Sequence, residues 1–217
     1  MPRRFAQLTF TDSVKAAQTH YGTRWHNERY EASEAANAEL GAREREFIAA
    51  RDSFYLATVS ETGWPYVQHR GGRPGFLKVL DAKTLAFADF RGNLQYQSVG
   101  NLAADDRVCL ILVDYAQRRR LKILGHARVI DVSELDELHD KAHDKAPALR
   151  EQLAIDDAGG RVERVLQIAL EAFDWNCSQH ITPRISEREY EQAIAPLFQR
   201  IALLEARLRE LGCEPPP

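Results

Sequence analysis

The sequence predicts an α+β protein with a mainly β core: a small closed or split β-barrel, preceded by helices and followed by a long C-terminal helix. Three observations carry this expectation. Across residues 53–131, short runs rich in aromatic and β-branched residues follow one another, parted by Gly-, Pro- and Asp-bearing turns. A single stretch of helical spacing, residues 94–104, interrupts them. Near the C-terminus Leu197, Ile201, Leu204, Leu208 and Leu211 recur at alternating steps of four and three. Six or so short strands around a helical insert bury their apolar faces most simply by curling into a barrel.

The bulk properties narrow the function. The chain has 217 residues, 44% of them hydrophobic, and 29 basic against 32 acidic residues for a formal net charge of −3. That suffices for a sizeable core, and no basic excess advertises nucleic acid or an anionic membrane. No apolar run approaches the roughly 20 residues of a spanning helix, and the first residues lack the apolar centre of a signal peptide. Cys109, Cys177 and Cys213 are odd in number, widely spaced and without a CxxC pair, which argues against a disulfide framework or a structural zinc. The expectation is a soluble cytoplasmic protein with no nucleic-acid or membrane partner.

The chain divides into an N-terminal helical extension (1–50), a barrel domain (51–182) and a C-terminal helix with a Pro tail (183–217). In the first part, Asp12 and Ser13 can cap a helix over 14–21, and residues 39–51 have the composition of an exposed helix with Phe47 and Ile48 turned inward. The charged, Ala-rich stretch 27–39 is weakly determined. In the second part, strands are expected at 53–60, 64–70, 76–80, 85–88, 108–113 and 120–130, with turns at Glu61-Thr62-Gly63, Gly71 to Gly75 and Asp81 to Thr84. Helices are expected at 133–145 and 148–153. Residues 162–173 fit either a helix or a strand; Phe173-Asp174-Trp175-Asn176 reads as a strand exit and favours the strand. In the third part, Ser186-Glu187-Arg188-Glu189 is a capping box, and Gly212 with the prolines behind it stops the helix. The leucine stripe either pairs across a dimer or packs on the barrel.

Two stretches carry anion-binding chemistry. In Gln68-His69-Arg70-Gly71-Gly72-Arg73-Pro74-Gly75-Phe76-Leu77-Lys78, cations and a histidine flank a glycine pair between two strands. Glycine lets a backbone approach a ligand closely, Arg presents a planar donor fork to phosphate, and Lys a point charge. In Asp89-Phe90-Arg91-Gly92-Asn93-Leu94-Gln95-Tyr96-Gln97-Ser98, a strand end runs into a helix start, where free backbone N–H groups favour an anion. The competing readings are a solvated basic hairpin and ordinary helix capping. The two stretches together, on adjacent strands, favour a phosphorylated ligand.

Ser53 to Ser60, Gly63 to Arg70, Gly75 to Asp81, Phe87 to Asn93 and Ser98 to Val108 succeed one another in an order that resembles the FMN-binding split barrels of the pyridoxamine 5′-phosphate oxidase-like family. The resemblance spans roughly residues 45–131, with weaker support to His180. It implies a homodimer holding FMN between subunits. His69, Arg70, Gly71, Gly72, Phe76, Leu77 and Lys78 would border the flavin ring and ribityl chain, with Arg70 and Lys78 as cationic partners. Arg91, Asn93, Gln97 and Ser98 would surround the phosphate, and Arg120 and Lys122 would reach the flavin from the other subunit. Trp175, Asn176, Gln179 and His180 form a third candidate group, a ring for stacking and directional hydrogen-bond donors. Cys177 reads as a packed thiol, and His139 with His143, four apart, lack a third metal ligand.

Authentic pyridoxamine 5′-phosphate oxidases end in an Arg- and Pro-containing substrate segment, for which this chain has a leucine-stripe helix and Glu214-Pro215-Pro216-Pro217. The resemblance therefore implies an uncharacterised branch: an FMN-dependent oxidoreductase acting on a small molecule, with NAD(P)H a candidate electron donor. The alternatives are a non-catalytic flavin carrier or sensor, and a split barrel that holds haem or a deazaflavin.

Overall fold

The computed structural model describes residues 3–33, 37–135, 149–155, 160–176 and 179–212. They divide into two compact units, one of residues 1–114 with 119–178 and one of 115–118 with 179–217. The expected helix over 133–145, His139, His143, Cys177, Cys213 and the Pro tail lie largely or wholly outside the described residues.

The first unit is built on a seven-stranded antiparallel sheet in the order β2-β1-β5-β6-β7-β4-β3. The strands are β1 Ser53–Val59, β2 Pro65–Gly71, β3 Lys78–Val79, β4 Thr84–Phe90, β5 Arg107–Asp114, β6 Arg119–Asp131 and β7 Val162–Asn176. The ambiguous stretch is thus a strand, the longest in the chain. Its mixed pattern has a physical cause: the first part of β7, around Val165 and Leu166, is buried on both faces, while Ala169 further along is exposed. Leu166, Ile168 and Phe173 join the barrel core with Phe54, Leu56, Leu110 and Ile123. Val165 instead packs outward with Ile130, Leu135, Leu153 and Ile155 in a second cluster. A strand covered on both sides loses the simple alternation that marks a half-exposed one.

The two ends of the sheet meet through side chains, which makes the barrel split. Phe54 of β1 stacks on Phe76 with centroids 5.5 Å apart and meets Phe87 of β4 edge-on at 5.3 Å. Gly72 and Gly75 donate their N–H groups to the carbonyls of Asp52 and Arg51. Gly72 lies so near Phe76 that a Cβ there would come within 2.7 Å of the ring, and Gly75 adopts φ +78°. These glycines are required by a close approach and a left-handed turn.

The helices of this unit are α1 Arg4–Thr9, α2 Asp12–His20, α3 Arg24–Ala32, α4 Ala42–Ala49, α5 Gln97–Ala104 and α6 Leu149–Gln152. The sequence pattern did not indicate α1. It is short and uncapped, and it is held by burying Phe5 and Ala6 and by Arg4 pairing with Glu171 of β7 at 2.7 Å. The weakly determined stretch after residue 27 is helical through Ala32. Arg24 pairs with Glu28 at 3.3 Å and Glu31 at 2.6 Å, and Tyr30 donates to Asp174. Salt bridges along the surface and one tertiary anchor substitute for an apolar stripe.

The second unit contains α7, Glu187–Glu210. Ser186 and Glu189 form the expected capping box, and Gly212 ends the helix at φ +77°.

Candidate functional site

Strand alternation sorts the first basic stretch onto two faces. Tyr66, Gln68 and Arg70 of β2 point one way and are half-buried, while Val67 and His69 point the other and are exposed. The inward three form one wall of a hollow whose other walls are the loop 91–96, the first turn of α5, and Asp89 and Arg164.

Asp89 is the electrostatic centre of that hollow. It is 3% exposed and binds two guanidinium groups, Arg70 from β2 and Arg164 from β7, the latter at 3.1 Å. Burial pushes the Asp89 carboxyl up against the pull of the two arginines. Burial likewise pulls the Arg70 guanidinium down despite Asp89 beside it. Both shifts have the same origin: charges held out of water lose solvation that their partners only partly restore.

A β-bulge aims the far wall. Asp89 pairs with Arg164 but Phe90 with Val162, so Glu163 is the extra residue on β7. Consecutive residues Glu163 and Arg164 thereby both serve the hollow, as bulges beside sites commonly arrange. Glu163 pairs with Arg164, lies 3.6 Å from Arg91 and accepts from the Tyr96 hydroxyl at 3.2 Å. The Arg164 guanidinium also lies 4.7 Å over the Tyr96 ring.

The loop is held in a rare shape. Gly92, Leu94 and Tyr96 all have positive φ, of 56°, 64° and 49°. The Asn93 side-chain carbonyl accepts from the Gln95 N–H at 3.1 Å and tightens the turn. Tyr96 caps α5 without a side-chain bond, so the first N–H groups of that helix are not satisfied by an N-cap side chain. Ser98 is buried and donates to Gln68 at 2.8 Å, tying α5 to β2.

The hollow thus presents three guanidinium groups, the Asp89 carboxylate and an open helix start, with Glu163 behind Arg91 and Arg164. The Arg70 Nε is buried with no hydrogen-bond partner among the described residues, as are the Nε atoms of Arg3, Arg51 and Arg120. Guanidinium groups and free helix N–H groups gathered in one hollow are chemically suited to an anion. The arrangement fits a phosphate group.

Of the residues expected from the sequence, Arg70, Arg91, Asn93, Gln97 and Ser98 line this hollow together. Gly72, Phe76 and Lys78 line a neighbouring one with Arg73, Ala88 and Leu153, and Phe90 borders both. The Leu77 side chain is in the core at 2% exposure, and Gly71 is exposed at the end of β2. His69, Arg120 and Lys122 lie on the sheet face opposite the core. The register runs His69–Tyr55–Ile111–Lys122 across four strands. Trp175 donates its indole N–H to Glu44 at 2.8 Å and lies between the Arg43 and Arg119 guanidiniums. That commits its ring to α4. Asn176 ends β7 opposite Arg120. Gln179 and His180 are exposed in a turn of the second unit.

Tyr66, Gln68, Asp89, Tyr96 and Arg164 also line the hollow but were not singled out from sequence. The inward set on β2 was readable from strand alternation around Arg70. Arg164 carried no local signal.

A split β-barrel with an arginine-rich hollow at the head of a short helix has the chemistry to receive an anion. Residues 40–169 match the sequence pattern of the pyridoxamine 5′-phosphate oxidase family, and the chain belongs to that family. No curated protein sequence matches it. Among solved structures, HupZ of Group A Streptococcus is similar at 15% identity, covering 67% of this chain and 100% of its own, with a TM-score of 0.48. A protein described as a pyridoxamine 5′-phosphate oxidase of Lactobacillus delbrueckii is similar at 20% identity, over 64% and 97% of the two chains, with a TM-score of 0.45. A relative of general stress protein 26 from Clostridium acetobutylicum is similar at 15% identity, over 68% and 94%, with a TM-score of 0.43.

Proposed function

We propose that this protein is a homodimeric FMN-binding flavoprotein and a flavin-dependent oxidoreductase acting on a small molecule. One observation carries the reading: the guanidinium groups of Arg70, Arg91 and Arg164 converge with the open start of α5 on one hollow. Arg70, Arg91, Gln97 and Ser98 hold the phosphate there. The neighbouring hollow, apolar along Phe76, Ala88 and Phe90 with Lys78 at its wall, suits a flat aromatic ring with a polar edge.

The dimer reading rests on the outer sheet face. Val67, Tyr55, Ala57, Cys109, Ile111 and Leu124 form an apolar tract across β2, β1, β5 and β6, and Val67 and Tyr55 are 59% and 41% exposed. A second copy seated on this tract would cover it. His69, Arg120 and Lys122, which share this face, would then serve the site of the second copy. FMN, when bound, supplies the electron and hydride chemistry. The chain's share is to grip the phosphate, orient the ring, offer Lys78 as a positive charge and keep water out.

The test is to purify the protein, record its absorption spectrum and weigh the small molecule that accompanies it. Flavin bands near about 370 and 450 nm are expected, with bleaching on addition of NAD(P)H or another reductant. Colourless protein that takes up no added FMN in a titration would overturn the reading.

A further inference from the structure

The face of α7 has a composition that specifies its partner. With the heptad read from the apolar steps, the a positions are Ile194, Ile201 and Leu208, and the d positions are Tyr190, Leu197, Leu204 and Leu211. Leu197, Ile201, Leu204 and Leu211 are each at least 50% exposed. Within its own unit the helix is accompanied only by 115–118 and the segment from 179 to its cap, which offer no second apolar helix among the described residues.

We propose that α7 pairs with α7 of a second copy of this chain as a short parallel two-stranded coiled coil. Two features select that geometry. Ile201 at a with Leu197, Leu204 and Leu211 at d suits two strands in a parallel pair. The flanking charges favour the same orientation. Arg200 and Arg207 occupy g positions, and Glu191 and Glu205 occupy e positions. In a parallel pair each g residue faces the e residue five further along the other helix, so Arg200 meets Glu205 of the second copy, twice by symmetry. An antiparallel pair sets g against g and e against e, arginine on arginine and glutamate on glutamate. Pro196 falls at an outward c position, so it leaves the seam clear while removing one helical hydrogen bond near its start.

The uninterrupted seam from Leu197 to Leu211 is only about two heptads, short for a free coiled coil. Association of the barrels raises the local concentration of the two helices, so for its strength the inference rests on the dimer proposed above.

The test uses the full chain with Cys177 and Cys213 changed to Ser and Cys109, which lies in the apolar tract of the proposed dimer face, changed to Ala so that the tract stays apolar. Leu204→Cys at d should form an interchain disulfide under mild oxidation, because equal d positions face each other in a parallel pair. Leu203→Cys at c, which points outward, should not. Adding Arg200→Glu should cut the Leu204→Cys yield roughly three- to fivefold, the effect of two surface pairs made repulsive, and Glu205→Arg on top should restore it. Equal yields at 203 and 204, or no response to Arg200→Glu, would overturn the pairing. Sedimentation separates the two readings. A dimer without the Leu204→Cys bridge defeats the coiled coil alone, and a monomer defeats both.

Discussion

Asp89 and Arg164 face each other across the β4–β7 ladder, 75 positions apart in sequence, joined at 3.1 Å and both buried. Arg70 completes the group from β2. One carboxylate therefore ties together the two ends of the split barrel and stands behind the wall of the proposed phosphate site.

Asp89→Ala is expected to destabilise the protein by about 3 kcal/mol, because it leaves the buried Arg70 without its carboxylate and takes one of the two partners of Arg164, which keeps Glu163. Urea unfolding followed by tryptophan fluorescence measures it. A loss below about 1 kcal/mol would show that water reaches the arginines and compensates them.

Arg70 and Arg91 should differ in kind as phosphate ligands. Arg70 has a side chain 15% exposed, Arg91 one 52% exposed. Arg91→Ala should weaken FMN roughly fivefold at low salt, with the deficit shrinking as ionic strength rises. Arg70→Ala should weaken it by at least about tenfold, with little dependence on salt. Titrations at two salt concentrations decide this.

Two glycines should respond oppositely to alanine. A Cβ on Gly125 would stand 2.4 Å from the Ala169 carbonyl oxygen of the neighbouring strand, a backbone atom that cannot yield cheaply. Gly125→Ala should cost about 3 kcal/mol or more. Gly100, inside α5, has open space around it, and Gly100→Ala should stabilise by about 0.5–1 kcal/mol. Paired thermal melts test both.

Asp105 gives an acid signature. The Arg107 side chain, aided by the Arg107 backbone N–H, holds its carboxyl down to about 2. A carboxyl lowered by folding stabilises the folded state above its ordinary range, and that contribution is lost as pH falls through the folded value. The melting-temperature gap between the protein and Asp105→Asn should be steady above about pH 4 and close towards pH 2.

Ile111→Glu places a charge in the middle of the outer apolar tract, between Tyr55 and Lys122. Sedimentation should show a shift from dimer to monomer at micromolar concentration, with FMN retention falling alongside. An unchanged dimer would place the interface on another face.

The strands, the loop 91–96 and the C-terminal cap were legible because each is a local signal: a run of β-branched residues, a Gly-Asn turn, a Ser-x-x-Glu box. The family followed from the resemblance, and the match over residues 40–169 bears it out, whereas the order of strands within the sheet was not read from the sequence. Arg164 was illegible because its place depends on a bulge at Glu163 and on a partner strand 75 positions away. His69 and Arg70 were read as one group although alternation parts them. Trp175 looked free to stack on a ligand because nothing near it in sequence reveals Glu44, 131 positions earlier, as its hydrogen-bond partner.

The place of β7 in the sheet also governs assembly during synthesis. Among the described residues it is the last strand in sequence, yet it lies between β6 and β4 and is the neighbour that joins β4 to the rest. Until residue 176 has left the ribosome, the β3–β4 hairpin has an open edge and the β2–β1–β5–β6 sheet another, both able to recruit the wrong chain. Closure over so long a separation is intrinsically slow. Nascent chains arrested before residue 160 should therefore be protease-sensitive throughout β4 and prone to aggregate, with protection appearing in a single step once β7 emerges.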